Sequence, residues 1–286
     1  MISTLHDRSV LRLVQIALSE DIGSGDLTSE SLVDSKELVH GILLAKERMV
    51  LAGSPVVGLA FAEVDRGITC DWQVSEGSIV EPSTILAHLH GHARTLLTAE
   101  RTALNFLQRM SGVASLTRRY VELVERTGAT ILDTRKTLPG WRLLDKYAVK
   151  QGGGENHRAG LFDMVMIKDN HIAAHGSIST AVSAVLHHFD VHGIGGVQIE
   201  VETQTLDDVS EALSCQGISR IMFDNFPITT LAEAVKLVDG RVETEASGGI
   251  TMETIREVAE TGVQYISVGA LTHSATAVDI SMDLGR

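Results

Sequence analysis

Cysteine is almost absent from this 286-residue chain: only Cys70 and Cys215 occur, far apart and without metal-ligand spacing. That excludes a disulfide framework and a cysteine zinc site, and a reducing cytoplasm fits best. No run of about 18 apolar residues occurs, so no membrane-spanning helix is predicted. Asp7, Arg8 and Arg12 interrupt the apolar positions of the amino terminus, which reads as a soluble protein without a signal peptide. Positive charge is scarce as well. With a formal net charge of -13, long-range repulsion argues against non-specific nucleic-acid binding and against an anionic membrane surface. No Ser-His-Asp or Cys-His arrangement is evident, so no covalent nucleophile is expected.

What is present is periodic. Val10, Leu13, Val14, Ala17 and Leu18 share one helical face, and the helix stops near Gly23. From Gly41 to His90 short apolar runs broken by Gly, Pro and charge read as antiparallel strands, giving a small α+β domain. A long helical stripe follows, and the domain boundary is placed near its middle, at Ser111 and Gly112. Residues 1–111 are thus an N-terminal α+β sandwich and 112–274 a catalytic domain.

Beyond Gly128 short strands alternate with helical segments: TILDTRK, DMVMIKDN, VQIEVET, RIMFDNF, VETEASGGI and YISVGAL are the strands. This alternation predicts an α/β domain with a parallel sheet covered by helices. A β/α barrel is favoured over an open sheet because each strand ends in a polar cluster, as at a barrel mouth. No GxGxxG follows the first of these strands, so dinucleotide binding has little support.

Against the acidic background, Asp133 to Asn170 carries Arg135, Lys136, Arg142, Lys146, Lys150, Arg158 and Lys168, together with His157. Cations converging on one site bind carboxylates and phosphates through charge-assisted hydrogen bonds. A small, multiply anionic substrate is therefore expected. Ser247-Gly248-Gly249 and Val268-Gly269-Ala270 end the last two strands, where glycines and helix N-termini form phosphate sites. The plain alternative is that these glycines only make tight turns. Glu200 and Asp224, with Glu202 and Asn225 nearby, end two consecutive strands. Such carboxylates can hold a divalent cation or ribose hydroxyls, or form internal salt bridges with Lys168 or Arg135.

These motifs, from Gly25-Asp26-Leu27-Thr28 through Ala99 to Asn105, Asp133 to Thr137, Gly152 to Arg158, Ile167 to His171, Glu200, Phe223 to Asn225, Glu245 to Gly249 and Val268 to Ser274, resemble the quinolinate phosphoribosyltransferases. These are also called nicotinate-nucleotide pyrophosphorylases (carboxylating). The resemblance implies a pentosyltransferase that takes quinolinate and phosphoribosyl pyrophosphate to nicotinate mononucleotide, pyrophosphate and carbon dioxide, with Mg²⁺, in NAD biosynthesis. It implies that Arg101 from a second chain of a homodimer joins Thr134, Arg135, His157, Arg158 and Lys168 around the quinolinate carboxylates. Lys136 would contact phosphoribosyl pyrophosphate, and Ser247, Gly248, Gly249, Gly269, Ala270 and His273 its phosphate end. Glu200 and Asp224 would hold the ribose hydroxyls and, directly or indirectly, the metal, acting with Lys168 as the catalytic set. The family's barrel is incomplete, and its tail, here about 275–286, packs on the N-terminal sandwich. Arg142, Lys146 and Lys150 are left as helix-surface charges. The competing readings are a molybdenum-transport-associated relative acting on another anionic acceptor, a phosphate-binding barrel lyase or isomerase, and a ligand-sensing barrel.

Overall fold

The computed structural model describes Leu5 and residues 7–285. The chain divides into two compact units: one comprises the chain up to Arg118, Thr137–Gly153 and the stretch from Ala270 onward, the other Arg119–Lys136 and Gly154–Gly269. Among the described residues no helix is long and apolar enough to cross a membrane.

The first unit opens with the helix Arg8–Ile22, whose Asp7 N-cap accepts from the Ser9 N–H at 2.7 Å and which buries Val10, Val14 and Leu18. Gly23, at φ +54, ends it. Strands β1 (Leu38–Ala45), β2 (Met49–Val50), β3 (Thr69–Trp72), β4 (Ile79–Val80) and β5 (Ile85–His92) follow. On β1 the strict alternation buries Val39, Gly41, Leu43 and Ala45 on one side, which pins its antiparallel register with β5. The expectation of strands throughout this stretch misses one helix, Ser54–Val64. Its apolar residues lie on nearly every side, so no 3.6-residue stripe announces it, while Pro55 at its start is the one local signal.

The helix Ala93–Leu123 runs through the boundary expected at Ser111 and Gly112 without a break. Gly112 is a close-packing glycine, since a Cβ there would overlap the carbonyl oxygen of Thr276. Glycine in a helix reads as a weak point, and here its small size is what the C-terminal segment needs.

The second unit contains β6 (Thr130–Leu132), β7 (Val165–Ile167), β8 (Ile199–Thr203), β9 (Arg220–Asp224), β10 (Glu243–Ser247) and β11 (Tyr265–Ser267). All pair in parallel, in the order β6-β11-β10-β9-β8-β7. The six expected strands are all present, and the ladder is open between β6 and β7. There the main chain at Glu155 lies beside β6, donating to Ile131 O at 2.8 Å and accepting from the Asp133 N–H at 3.1 Å. This is an incomplete β/α barrel. Ser177 and Thr205 cap the helices Ile178–His192 and Leu206–Ser214 with reciprocal side-chain and main-chain bonds, each cap contributing about 1 kcal/mol.

The chain finally returns to the first unit, where β12 (Ile280–Gly285) adds antiparallel to β1, giving the sheet order β12-β1-β5-β3. Arg109 anchors the approach to this strand by donating to the carbonyls of Thr272 and Ala275, with Asp145 3.7 Å away. Asp145 sits in the helix Arg142–Gln151 beside Lys146, which is only 4% exposed. Lys146 is therefore not the surface charge expected of it.

Ala normally stabilises a helix interior over Gly by about 1 kcal/mol. Gly112→Ala should reverse that sign and destabilise the protein by roughly 2–3 kcal/mol, read as a lower denaturant midpoint. An unchanged midpoint would show that the Thr276 segment yields freely.

Candidate active site

Parallel register sets the depth of each side chain inside the second unit. Glu200, Arg220 and Glu243 are paired neighbours on β8, β9 and β10, followed two residues later by Glu202, Met222 and Glu245, and then by Asp224 and Ser247. Side chains two apart share a face, so charge accumulates in rungs toward the strand ends. Above the upper rungs lies a cavity of about 500 Å³, lined wholly by this unit. It gathers Thr134, Arg135 and Lys136 after β6, His157 and Arg158 from the glycine-rich loop, and Lys168 after β7. Asp224, Asn225 and Ser247–Gly249 face the same space.

One wall is cationic. Arg158 is held by Nη1 donating to Met164 O at 3.2 Å, and burial together with the neighbouring Arg135 lowers its pKa. Two guanidiniums brought together in a partly dry wall raise each other's cost, and an anion between them would relieve it. Lys168 Nζ donates to Glu202 Oε2 at 2.8 Å. The internal salt bridge expected for a strand-end carboxylate thus forms, at Glu202.

The opposite wall is made of turns. Gly248 (φ +93) and Gly249 (φ +62) follow Ser247, and a Cβ on Gly248 would overlap Asn225 Oδ1. Asn225 is itself left-handed at φ +57, donates its main-chain N–H to Ser247 O at 2.8 Å, and donates Nδ2 to Asp224 Oδ2 at 2.9 Å. The two loops interlock and leave backbone at the surface, the arrangement that suits a phosphate.

The assignment of Glu200 to this mouth needs correction. Glu200 is fully buried and is not part of the cavity lining, whereas Glu202 is. Both face inward from β8, so alternation alone could not separate them, and depth decides. The missed signal is the neighbouring strand, where Arg220 sits in register with Glu200 and marks that level as a buried charge rung. Glu245 and Ser267, also missed as site residues, complete the floor. Arg101 lies exposed on the helix Ala93–Leu123 and, like Ala270 and His273, belongs to the first unit, while Gly269 ends the second.

His157 links floor and mouth. Its Nε2 lies 3.1 Å from Glu200 Oε2 and 3.4 Å from Glu245 Oε2. Neither contact has the alignment of a full hydrogen bond, so charge splits this edge of the ring between the two carboxylates. Burial would lower the imidazole pKa, but the two carboxylates outweigh it and carry it up to about 9. Nδ1 nevertheless accepts the Arg158 main-chain N–H at 2.7 Å. That bond needs a lone pair on Nδ1, so it opposes the second ring proton that the two carboxylates favour and places the first on Nε2. Burial and the charge of Glu245 push Glu200 up to about 7. Glu245 moves down although burial opposes it, because His157 and Arg220 stabilise its charged form.

Comparison with known proteins places this geometry. The family descriptions "Quinolinate phosphoribosyl transferase, N-terminal domain" and "Quinolinate phosphoribosyl transferase, C-terminal domain" match residues 26–111 and 113–283. The chain is 44% identical to a Nicotiana tabacum protein named quinolinate phosphoribosyltransferase [decarboxylating] 1b, over 95% of this chain and 81% of that one. It is 43% identical to a Bacillus subtilis protein named probable nicotinate-nucleotide pyrophosphorylase [carboxylating], over 93% and 90%. The solved nicotinate-nucleotide pyrophosphorylase of Francisella tularensis superposes with a TM-score of 0.91 at 38% identity, covering 97% of this chain and 96% of its own.

Gly248→Ala should weaken binding of inorganic phosphate about tenfold or more in calorimetry, because the methyl displaces Asn225 from the turn. Gly193→Ala carries the same left-handed strain at φ +66 in open space and serves as the comparison. Equal losses in both would mean that backbone strain alone is responsible.

Proposed function

Because the chain belongs to the quinolinate phosphoribosyltransferase family, we propose that its strand-end cavity divides one reaction between two walls. The enzyme transfers the phosphoribosyl group of phosphoribosyl pyrophosphate to quinolinate with decarboxylation, giving nicotinate mononucleotide, pyrophosphate and carbon dioxide for NAD biosynthesis. The observation that supports the division is that one cavity carries a guanidinium and ammonium wall facing a Ser-Gly-Gly turn, with carboxylates between.

In this reading Arg135, Arg158 and Lys168 neutralise the two adjacent carboxylates of quinolinate and Thr134 lies beside them. Ser247, Gly248 and Gly249 receive the 5′-phosphate together with Gly269, and Lys136 takes the pyrophosphate. Glu202 and Asp224 hold the ribose hydroxyls; their hard oxygens fit Mg²⁺, which when bound would neutralise charge on the pyrophosphate. The ring nitrogen of quinolinate attacks C1′ as the bond to pyrophosphate breaks, and nearby carboxylates favour the oxocarbenium-like state between. Loss of carbon dioxide leaves an electron pair on the ring carbon beside the now cationic nitrogen, and a proton replaces the lost group. Orientation and charge neutralisation are the protein's whole task.

The reading extends to a homodimer in which Arg101 of one chain completes the acceptor wall of the other. It also places the enzyme in the cytoplasm, on the strength of two unbridged cysteines, of which Cys70 is pushed up to about 11 by burial and is correspondingly inert.

The purified enzyme should convert quinolinate, and not nicotinate, to the mononucleotide with release of carbon dioxide; the opposite preference would overturn the acceptor assignment. Arg135→Ala should chiefly raise the KM for quinolinate. Mixing inactive Arg101→Ala and Lys168→Ala chains should restore about a quarter of the activity, because half of the dimers are hybrids with one intact site in two. No recovery would mean that each chain holds a complete site.

A further inference from the structure

We propose that His188 and His192 form a two-imidazole chelate for a borderline divalent transition-metal ion, of the Zn²⁺ or Ni²⁺ kind, on the exposed last turn of the helix Ile178–His192. Neither residue lines the strand-end cavity, so the site is independent of how that cavity divides its substrates.

The helix ends in His187-His188-Phe189-Asp190-Val191-His192. Residues four apart stand one turn above each other, so His188 and His192 share a face and His187 does not. Their ring centroids are 4.1 Å apart with planes tilted by 34°, and both residues are exposed. Spacing alone does not make a ligand; a lone pair has to face outward. Nδ1 of His192 lies 2.9 Å from the main-chain oxygen of His188. A carbonyl oxygen only accepts, so Nδ1 carries the proton, and in the neutral ring the Nε2 lone pair is left for an ion. Metal-binding histidines are ordinarily held in this way, with the other ring N–H donated to a carbonyl or carboxylate that fixes the tautomer.

The same spacing at His171 and His175 has the opposite outcome. There Nδ1 of His171 accepts the Lys168 main-chain N–H at 3.0 Å, so the neutral ring keeps its proton on Nε2 and offers no lone pair. The turn that carries His188 and His192 is also held in place: Gly193, at φ +66, closes the helix, and the Ile194 N–H donates to Phe189 O at 2.9 Å. The C-terminal end of a helix bears partial negative charge, which favours a cation there. Imidazole nitrogen selects Zn²⁺, Ni²⁺ and Cu²⁺, whereas Mg²⁺ takes oxygen ligands. Among the described residues no third His, Cys, Asp or Glu joins this pair at metal-binding spacing, so water fills the remaining positions. The group of three that does have such spacing, His157, Glu200 and Glu245, is buried elsewhere, with Arg220 already 2.8 Å from Glu245 Oε2.

The test is calorimetric titration of the chelator-treated full chain with Ni²⁺, in the presence and absence of excess Mg²⁺. His188→Ala and His192→Ala should each weaken Ni²⁺ binding about tenfold or more, because either change leaves a single imidazole. The double variant should be no weaker than either single one, since a chelate is lost with its first ligand. His187→Ala, one position off the shared face, should stay within about twofold of the unaltered chain, and Mg²⁺ should not compete. Amide hydrogen exchange gives a second readout: Ni²⁺ should slow exchange from Phe189 to Gly193 in the unaltered chain and leave it unchanged in His192→Ala. Losses that add in the double variant would mean two separate surface imidazoles and overturn the chelate. Unchanged binding in both single variants, an equal loss in His187→Ala, displacement by Mg²⁺, or exchange that does not respond to the ion would each overturn it as well. All three histidines are exposed, so the substitutions leave the core intact.

Discussion

The buried charge rung of β8, β9 and β10 is the constraint on which the second unit depends. A parallel barrel ordinarily fills its interior with branched apolar side chains; here Arg220 bridges Glu243 and Glu245, with Glu200 alongside. Charges removed from water are costly unless each is paired, and breaking such a pair costs more than making it gains. Here Glu245 Oε2 is paired with Arg220, whereas Glu200 has no such arginine contact, and burial together with the charge of Glu245 makes it hold its proton more tightly. The rung does more than offset its own cost. It gives the floor a fixed geometry onto which the segment after the glycines can dock.

That docking explains how an acidic chain presents a basic mouth. Repulsion among Arg135, Arg158 and Lys168 would splay them into solvent if nothing held them. Lys168 is tied to Glu202 and Arg158 to the main chain at Met164. These partners are weak competitors for a ligand, since Lys168 is 44% exposed and its bond to Glu202 is screened by water. A dianionic acceptor can replace them one for one. The cavity thus keeps its cations placed without spending them.

Much of this was legible in the sequence, because its signals are local. Six apolar runs with polar ends marked the six strands, and Ser247-Gly248-Gly249 marked a turn in which glycine permits a left-handed backbone. The clustering of Arg135, Lys136, Arg158 and Lys168 needed no structure to be seen. Depth along a strand was not legible. Glu200 and Glu202 have the same side-chain direction and differ only in which neighbour on β9 stands beside them, Arg220 or Met222, which is a property of register. Long-range contacts were equally hidden: Gly112 reads as a domain boundary until Thr276 is placed against it, and Lys146 reads as a surface charge until its helix is packed.

The gap in the barrel and the cationic wall are one feature. A closed ladder would pair β6 with β7 and leave no way for an intervening chain to reach the interior. With that pair absent, Glu155 takes up two of the main-chain bonds that β6 offers, to Ile131 and Asp133. Two residues later the chain is inside, where the Asp133 side chain receives the His157 N–H and the floor receives its ring. The next residue is Arg158. Closing the gap would satisfy more backbone and would exclude the guanidinium from the cavity. The fold therefore gives up sheet hydrogen bonds at the one edge where an arginine has to enter, and the carboxylate floor supplies the anchoring that the missing ladder cannot.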